Sequence, residues 1–297
     1  MSSAPMVARG GRMPREMREA VVELPNGLST HYYEWPGSGP KLVFLHPSAG
    51  YGRMWEWTVD ALGDRFHVFA ADQRGHGFSG RPEGDYSAEE YADDVALFMD
   101  AVGIERAVIV GHSLGGRVAQ VFAGRYPERI EGMVLVASPH LSNFHATREA
   151  ARAVLANAAD TLGHPEEFAS VDEALAFMKA RWPWSPESDG SLRHRIAYNF
   201  EHRDGGRVAP RYDNIRVAQG LAHLTANLRP YAARAECPVM ILLAKQGSLT
   251  RPQAEELAGY WRDARIVEID GTYALQMDNP QALAGAIADF AATVGAG

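Results

Sequence analysis

Residues 111–116 read GHSLGG, a serine with glycines on both sides. The stretch follows a short apolar run, AVIVG at 107–111, and precedes a helix-like run, RVAQVFAGRYP at 117–127. A sharp turn from a strand into a helix needs small residues where the two backbones approach, and Gly111, Gly115 and Gly116 provide them. The sequence therefore predicts a strand–turn–helix unit that presents Ser113. A serine hydroxyl alone is a poor nucleophile, so acyl transfer at Ser113 would require a base and an acid from elsewhere in the chain.

Short apolar runs of the buried-strand type recur along the chain and alternate with helical patterns. The clearest helical pattern covers residues 87–103, where Ser87 and Glu90 have capping-box spacing and Gly103 can end the helix. Strand and helix in alternation indicate an α/β fold with a mostly parallel sheet covered on both faces. The eight predicted strands are MREAVVEL (17–24), LSTHYYEW (28–35), KLVFLHP (41–47), FHVFAAD (66–72), RAVIVGHS (106–113), IEGMVLVAS (130–138), PVMILLA (238–244) and ARIVEID (264–270).

The alternation stops after Ser138 and resumes only near Cys237. Residues between these points have helical spacing and no strand-like run, which predicts a helical insertion over one edge of the sheet. We call residues 139–232 the lid. The predicted core domain comprises residues 17–138 and 233–297, and residues 1–16 form a flexible N-terminal arm.

Composition restricts the class of protein. The 297 residues are 46% hydrophobic and 22% charged, with a formal net charge of −8 spread over the chain. This balance predicts a small-molecule substrate or ligand and neither a nucleic-acid nor a membrane partner. The single cysteine, Cys237, excludes an intramolecular disulfide and favours a cytoplasmic location. Neither a metal-ligand cluster nor a nucleotide-binding glycine loop is present in the sequence, so we expect no metal and no cofactor. The oligomeric state is left open.

Two further loops join GHSLGG in a recognisable set: HPSAG at 46–50 and DQRGHGFS at 72–79. Together with the strand order around a lid, they resemble the α/β-hydrolase fold superfamily from about residue 18 to 293. The resemblance implies a central eight-stranded sheet with a helical lid inserted after strand 6. It also implies Ser113 at the nucleophile elbow and an oxyanion hole formed by the N–H groups of Leu114 and Ser48. Asp72, Arg74 and His76 match the family's structural turn.

The resemblance fails where the partners of Ser113 should stand. The family places an acid after the seventh strand and a histidine after the eighth. Here the acid position falls on Gly247 and the histidine position on Tyr273. The last of the eleven histidines is His223, so no histidine follows the predicted lid.

A relocated base is one alternative. His140 leaves the strand next to the one that carries Ser113, and His145 follows five residues later. Either imidazole is a candidate base near the mouth of the site. Asp270, three residues before Tyr273, is either a turn residue or a hydrogen-bonding group of the site.

Three functions remain open from the sequence. The first is an enzyme that uses the oxyanion hole without an acyl-enzyme, for proton transfer, elimination, cyclisation or carbon–carbon cleavage. Ser113 and Tyr273 would then act as hydrogen-bonding hydroxyls, because a phenol with an ordinary pKa near 10 is a weak base at pH 7. The second is an esterase or lactonase with His140 as the base. The third is a non-catalytic ligand-binding or regulatory protein.

Aromatic side chains and histidines are expected to line the pocket. Trp55 follows the predicted oxyanion loop, and Trp182 and Trp184 lie in the lid sequence RWPWSP. His46 and His112 stand next to the oxyanion loop and the elbow. Aromatic walls around a few polar groups are typical of small-molecule sites, so these five residues are the predicted substrate contacts.

Overall fold

A computed structural model describes residues 14–138, 147–181 and 188–294 of the chain. Its central feature is an eight-stranded sheet with the order β1-β2-β4-β3-β5-β6-β9-β10. These strands are β1 (Arg18–Glu23), β2 (Ser29–Trp35), β3 (Lys41–Leu45), β4 (His67–Ala71), β5 (Ala107–His112), β6 (Ile130–Val136), β9 (Val239–Gln246) and β10 (Ala264–Thr272). Only β2 runs against its neighbours, and β3 to β6, β9 and β10 are mutually parallel. All eight predicted strands are confirmed.

The sheet is buried on both faces because its parallel strands are almost continuously apolar. In β3, β4, β5, β6 and β9, alternate residues enter two separate clusters of buried side chains. Successive side chains of a strand point to opposite faces of the sheet. Val43 and Ile109 belong to one cluster, and Phe44 and Val110 to the other. Strand β1 has exposed and polar positions, as expected at an edge.

Helices cover both faces and fill most of the predicted lid. The described helices are α1 (Glu56–Leu62), α2 (Ala88–Ala101), α3 (Leu114–Arg125), α4 (Arg148–Leu162), α5 (Val171–Arg181), α6 (Asp189–Asn199), α7 (Asn214–Ala222), α8 (Arg229–Ala232), α9 (Arg251–Ala258), α10 (Leu275–Asp278) and α11 (Pro280–Val294). Helix α2 begins as predicted, with the side chain of Ser87 accepting a hydrogen bond from Glu90 N.

Two details of the predicted organisation are wrong. The lid sequence does contain strands: β7 (Phe200–His202) and β8 (Val208–Pro210) pair antiparallel, and three-residue strands are too short to show an alternating pattern. The predicted arm also extends too far. Arg15 donates to the carbonyls of Pro36 and Phe66 through Nη2, so this end of the predicted arm contacts the core. The other domain boundaries stay predictions.

The carboxyl ends of the parallel strands meet at one edge of the sheet. There β3 leads into residue 46, β4 into 72, β5 into 113, β9 into 247 and β10 into 273. The loops HPSAG, DQRGHGFS and GHSLGG therefore lie at this edge, which is where ligands bind in open α/β sheets.

Candidate active site

Ser113 stands on a strained turn between β5 and α3. Its φ of 51° and ψ of −110° lie in a region that side-chain-bearing residues seldom adopt, at a cost of about 1–3 kcal/mol. The glycines of the motif make the turn possible. A Cβ on Gly115 would lie 2.2 Å from Leu45 O, and one on Gly116 would lie 1.7 Å from Ser138 Oγ. The elbow therefore brings α3 against β3 and β6 and leaves Ser113 partly exposed.

The loop after β3, residues 46–52, is fixed by hydrogen bonds from its own backbone. Ala49 N donates to His76 Nε2 at 3.1 Å, and Gly52 N donates to Asp72 Oδ1 at 2.6 Å. Ala49 itself has a positive φ of 56°. Among the described residues, the N–H of Ser48 donates no hydrogen bond.

The second unused donor is the N–H of Leu114, the first residue of α3, which has no carbonyl one turn earlier in the helix. Leu45 pairs with Gly111 across β3 and β5, so Ser48 and Leu114 are each three residues beyond paired positions at the same edge. Backbone N–H groups at a helix N-terminus favour negative charge. This arrangement suits the binding of an oxyanion.

Asp72, Arg74 and His76 have scaffold contacts. Asp72 Oδ2 accepts from Phe78 N at 3.1 Å and lies 2.9 Å from His31 Nδ1. Arg74 Nε donates to Asp94 Oδ2 at 2.5 Å. Burial lowers the pKa of His76 to about 3, so its ring is neutral and can accept from the oxyanion loop. The turn at 72–79 thus holds the loop that carries Ser48.

His46 is held in place by hydrogen bonds to the backbone. Its Nδ1–H donates to Pro47 O at 2.8 Å and its Nε2 accepts from Gln73 N at 2.9 Å. Burial lowers its pKa, and the residue is fully buried. Both nitrogens are bonded to backbone, so His46 has no free polar atom for the predicted substrate contact.

His112, Trp55 and Tyr273 form an aromatic group beside the elbow. The ring centroids of His112 and Tyr273 are 4.5 Å apart, and those of His112 and Trp55 are 6.4 Å apart. Burial, with the positive charge of Arg195, lowers the pKa of His112 to about 3. Among the described residues, neither ring nitrogen of His112 has a hydrogen-bond partner, and neither does Trp55 Nε1. Buried polar atoms without partners are unusual, and a bound ligand is one explanation of them.

The opposite side of the site contains no acid and no imidazole at the expected points. Gly247 follows β9 directly and Tyr273 follows β10. Within residues 14–138, 147–181 and 188–294, no side chain forms a hydrogen bond with Ser113 Oγ. Asp270 is a surface residue: its carboxylate pairs with Lys245 at 2.7 Å and its side chain is 79% exposed.

Comparison with known proteins identifies the family. The family model described as the alpha/beta hydrolase fold matches residues 40–280. The chain belongs to that family. A 2-(acetamidomethylene)succinate hydrolase of Mesorhizobium japonicum is 31% identical to this α/β-hydrolase over 219 residues, which cover 73% of this chain and 75% of that protein.

Solved structures are similar over nearly the whole chain. The structure of E-2-(acetamidomethylene)succinate hydrolase superposes with a TM-score of 0.80 at 26% identity, covering 93% of this chain and 99% of that one. The enol-lactonase from Burkholderia xenovorans LB400 superposes with a TM-score of 0.68 at 26% identity, covering 91% and 99% of the two chains.

Four predicted residues, His140, His145, Trp182 and Trp184, lie outside the described residues, and their roles stay predictions. In the described ranges, no three His, Cys, Asp or Glu side chains are grouped as metal ligands. The same part of the chain contains no helix of the length and apolarity needed to cross a membrane.

Sequence reasoning missed one group of titratable side chains near the site. Tyr51 in the oxyanion loop, His194 in α6 and Glu56 in α1 form a hydrogen-bonded chain. The three residues are far apart in sequence, and 143 positions separate Tyr51 from His194. The available signal was the composition of α6, which buries Ser191, His194 and Asn199 among its apolar residues.

Proposed function

We propose that this α/β-hydrolase is an enzyme that acts on a small, largely apolar carbonyl compound without forming an acyl-enzyme. The carbonyl oxygen would accept hydrogen bonds from the N–H groups of Ser48 and Leu114. The observation that carries the proposal is the combination of these two unused donors with a Ser113 hydroxyl that no described base contacts. Such a site stabilises negative charge on oxygen but cannot readily deprotonate serine.

The reaction follows from where the charge develops. Loss of a proton from the carbon next to the carbonyl gives an enolate, whose negative oxygen the two N–H groups stabilise. Hydroxyl groups of Ser113 and Tyr273 supply further hydrogen bonds. Serine proteases stripped of their triad retain roughly 10³- to 10⁴-fold catalysis from the oxyanion hole and binding. Proton transfer, elimination, cyclisation and carbon–carbon cleavage all pass through such a charge.

The pocket would provide selectivity and exclude water. We expect Trp55 and His112 to form one wall of it, and Trp182 and Trp184 of the lid to complete it. The proposed enzyme uses neither metal nor cofactor and acts in the cytoplasm, with no nucleic-acid or membrane partner.

Hydrolysis with a relocated base is the second candidate, and the names of the relatives favour it. One similar protein is a 2-(acetamidomethylene)succinate hydrolase and another is an enol-lactonase. An esterase or lactonase of this kind would use Ser113 as nucleophile and a base such as His140. A pocket that binds a metabolite without turnover remains the third.

Ethyl phenylacetate in D₂O separates these functions in one sample. Proton NMR reports both loss of the α-protons by exchange and release of ethanol by hydrolysis. We expect exchange to exceed hydrolysis, and Ser113→Ala with Tyr273→Phe to abolish the exchange. Tyr126→Phe is the matched control, because the hydroxyl of Tyr126 bonds Asp93 on α2, away from this edge. Exchange that is unchanged in the double variant would overturn the proposal.

A further inference from the structure

We propose that Glu56, His194 and Tyr51 form a proton relay that serves the site, with the Tyr51 hydroxyl as its acid–base group. The reaction that the relay would serve is the one proposed above, so the inference rests on that function. The relay would supply the group that accepts the proton that the substrate loses.

The hydrogen-bond directions are set by the carboxylate. A carboxylate only accepts, so His194 Nε2–H donates to Glu56 Oε1 at 2.9 Å. In the neutral ring the other nitrogen, Nδ1, is then an acceptor, and the hydroxyl of Tyr51 donates to it at 2.6 Å. Carboxylate, imidazole and hydroxyl stand in the order that activates serine in a triad, with tyrosine as the hydroxyl.

The negative charge of Glu56, at the carboxylate end of the relay, can stabilise an imidazolium at His194. Burial alone would raise the pKa of Glu56, but the hydrogen bonds from His194 and Arg53 and the positive charge of Arg53 outweigh it and lower that pKa. Arg53 Nε donates to Glu56 Oε2 at 2.6 Å. Its guanidinium lies 3.9 Å from the ring centroid of Tyr198, a neighbour of His194. Glu56 therefore stays ionised beside His194.

Helix α6 presents polar groups to the site where an ordinary helix would bury apolar ones. Ser191 Oγ donates to Met277 Sδ at 3.2 Å, and Asn199 Nδ2 donates to Ala49 O at 3.0 Å. Burying polar side chains costs free energy unless each is paired. A helix whose buried face includes serine, histidine and asparagine gives up hydrophobic stabilisation, and such exceptions cluster at functional sites.

These contacts place the relay at the edge of the sheet where Ser113 stands. Asn199 holds α6 to Ala49, the residue after Ser48, and Tyr51 lies two residues further along the same loop. Ser191 holds the other end of the buried face to α10, which begins two residues after Tyr273. Tyr51 and Trp55 belong to the same buried cluster on one face of the sheet.

The proposed step moves two protons and no other atoms. The substrate C–H bond breaks and its proton goes to Tyr51 O, while the Tyr51 O–H proton goes to His194 Nδ1. The electron pair of the C–H bond enters the carbonyl to form the enolate at the oxyanion hole. His194 becomes an imidazolium paired with Glu56. Reversal of both transfers returns a proton to the product and restores the relay.

Three variants test the relay with ethyl phenylacetate: Tyr51→Phe, His194→Asn and Glu56→Gln. Because acid–base catalysis contributes typically 10²- to 10⁴-fold, we expect Tyr51→Phe to lower the rate about 100-fold or more. His194 and Glu56 are positioning residues that act through Tyr51. His67→Asn is a matched control, since His67 Nε2 bonds Glu34 at 2.7 Å in a similar pair on β4 and β2.

Exchange and hydrolysis distinguish the failure of the relay from the failure of the proposed function. If exchange occurs and Tyr51→Phe leaves it unchanged, the relay is wrong and the function stands. If only hydrolysis occurs and the three variants abolish it, the relay stands and the function is wrong. If the wild-type chain catalyses neither reaction, both are overturned.

Nitrogen-15 NMR of histidine-labelled protein tests the relay without substrate. The resonance that disappears in His194→Asn identifies the ring. We expect one protonated and one unprotonated nitrogen at neutral pH, and Glu56→Gln should change this pattern because an amide can also donate. A ring with both nitrogens protonated at neutral pH would overturn the relay, since Nδ1 could not accept a proton. A merely structural His194 would have the same tautomer, so the kinetic constants separate the two roles: His194→Asn should lower kcat for exchange and leave KM unchanged if His194 accepts the proton.

Discussion

The two sides of the site differ in how completely they are built. On the side of β3 and β5, a strained serine, a fixed loop and a buried turn together leave the N–H groups of Ser48 and Leu114 unused. On the side of β9 and β10, Gly247 and Tyr273 follow the two strand ends, at the points where we expected an acid and a histidine. In our proposal the first side binds an oxygen, whereas the second supplies no group that deprotonates serine.

This difference favours the proposed function, which uses the oxyanion hole and not an activated serine. Strained backbone and close glycine contacts cost stability, so their retention favours a function that uses them. An oxyanion hole acts on negative charge whether or not serine is a nucleophile. The following changes test each side, beginning with the largest expected effect.

The elbow should tolerate no side chain at Gly115. Gly115→Val would place a Cβ 2.2 Å from Leu45 O, and we expect it to lower the free energy of unfolding by about 4 kcal/mol or more. Urea unfolding measures the loss. The control is Gly285→Ala in α11, where nothing lies within 4 Å and a small gain is expected. Similar stability of the two variants would contradict the tight contact.

The buried turn should be almost as sensitive. Asp72→Asn puts an amide N–H against the backbone donors of Gly52 and Phe78, so we expect a loss of about 2–3 kcal/mol in the free energy of unfolding. Chemical denaturation is again the measurement. Asp270→Asn at the exposed end of β10 should change stability by less than about 0.5 kcal/mol. Equal losses would show that Asp72 is not the support of the oxyanion loop.

An acid and an imidazole placed after β9 and β10 should raise the rate of ester hydrolysis. Gly247→Asp with Tyr273→His restores an acid and an imidazole after β9 and β10, and we expect hydrolysis of p-nitrophenyl acetate to rise about tenfold, equal to about 1.4 kcal/mol. A Cβ at Gly247 would lie 3.0 Å from Ala244 Cβ, so a small adjustment makes room. Each single variant is the control. If the double variant shows no gain in hydrolysis, more than these two side chains must be changed to activate Ser113.

The buried histidines should make stability depend on pH. The pKa of His112 is about 3 in the folded chain and 6.5 as its ordinary value. Because the folded pKa is depressed, the unfolded chain binds the proton first. The stability is fully present above pH 6.5 and falls as the pH drops towards 3. His112→Phe should remove about 1.4 kcal/mol of this loss per pH unit, measured by urea unfolding at pH 7.5 and 5.5. Parallel losses in the two proteins would contradict the depressed pKa.

The sequence predicted the sheet and the elbow because both depend on local patterns. Apolar runs reveal buried parallel strands, and Gly115 and Gly116 reveal a close turn. It could not predict that His46 uses both nitrogens on backbone, because those partners are set by the loop conformation. The chain from Tyr51 to Glu56 through His194 also escaped prediction, since it depends on how α6 packs against α1 and the oxyanion loop.

Reaction of Ser113 with a fluorophosphonate tests the central claim most directly. Intact-protein mass spectrometry counts the adducts on the wild-type chain, with Ser113→Ala as the control. We predict no adduct at Ser113 under conditions that fully label a serine esterase, because no acid–histidine pair activates the hydroxyl. A stoichiometric adduct that Ser113→Ala abolishes would contradict the account and establish Ser113 as an activated nucleophile.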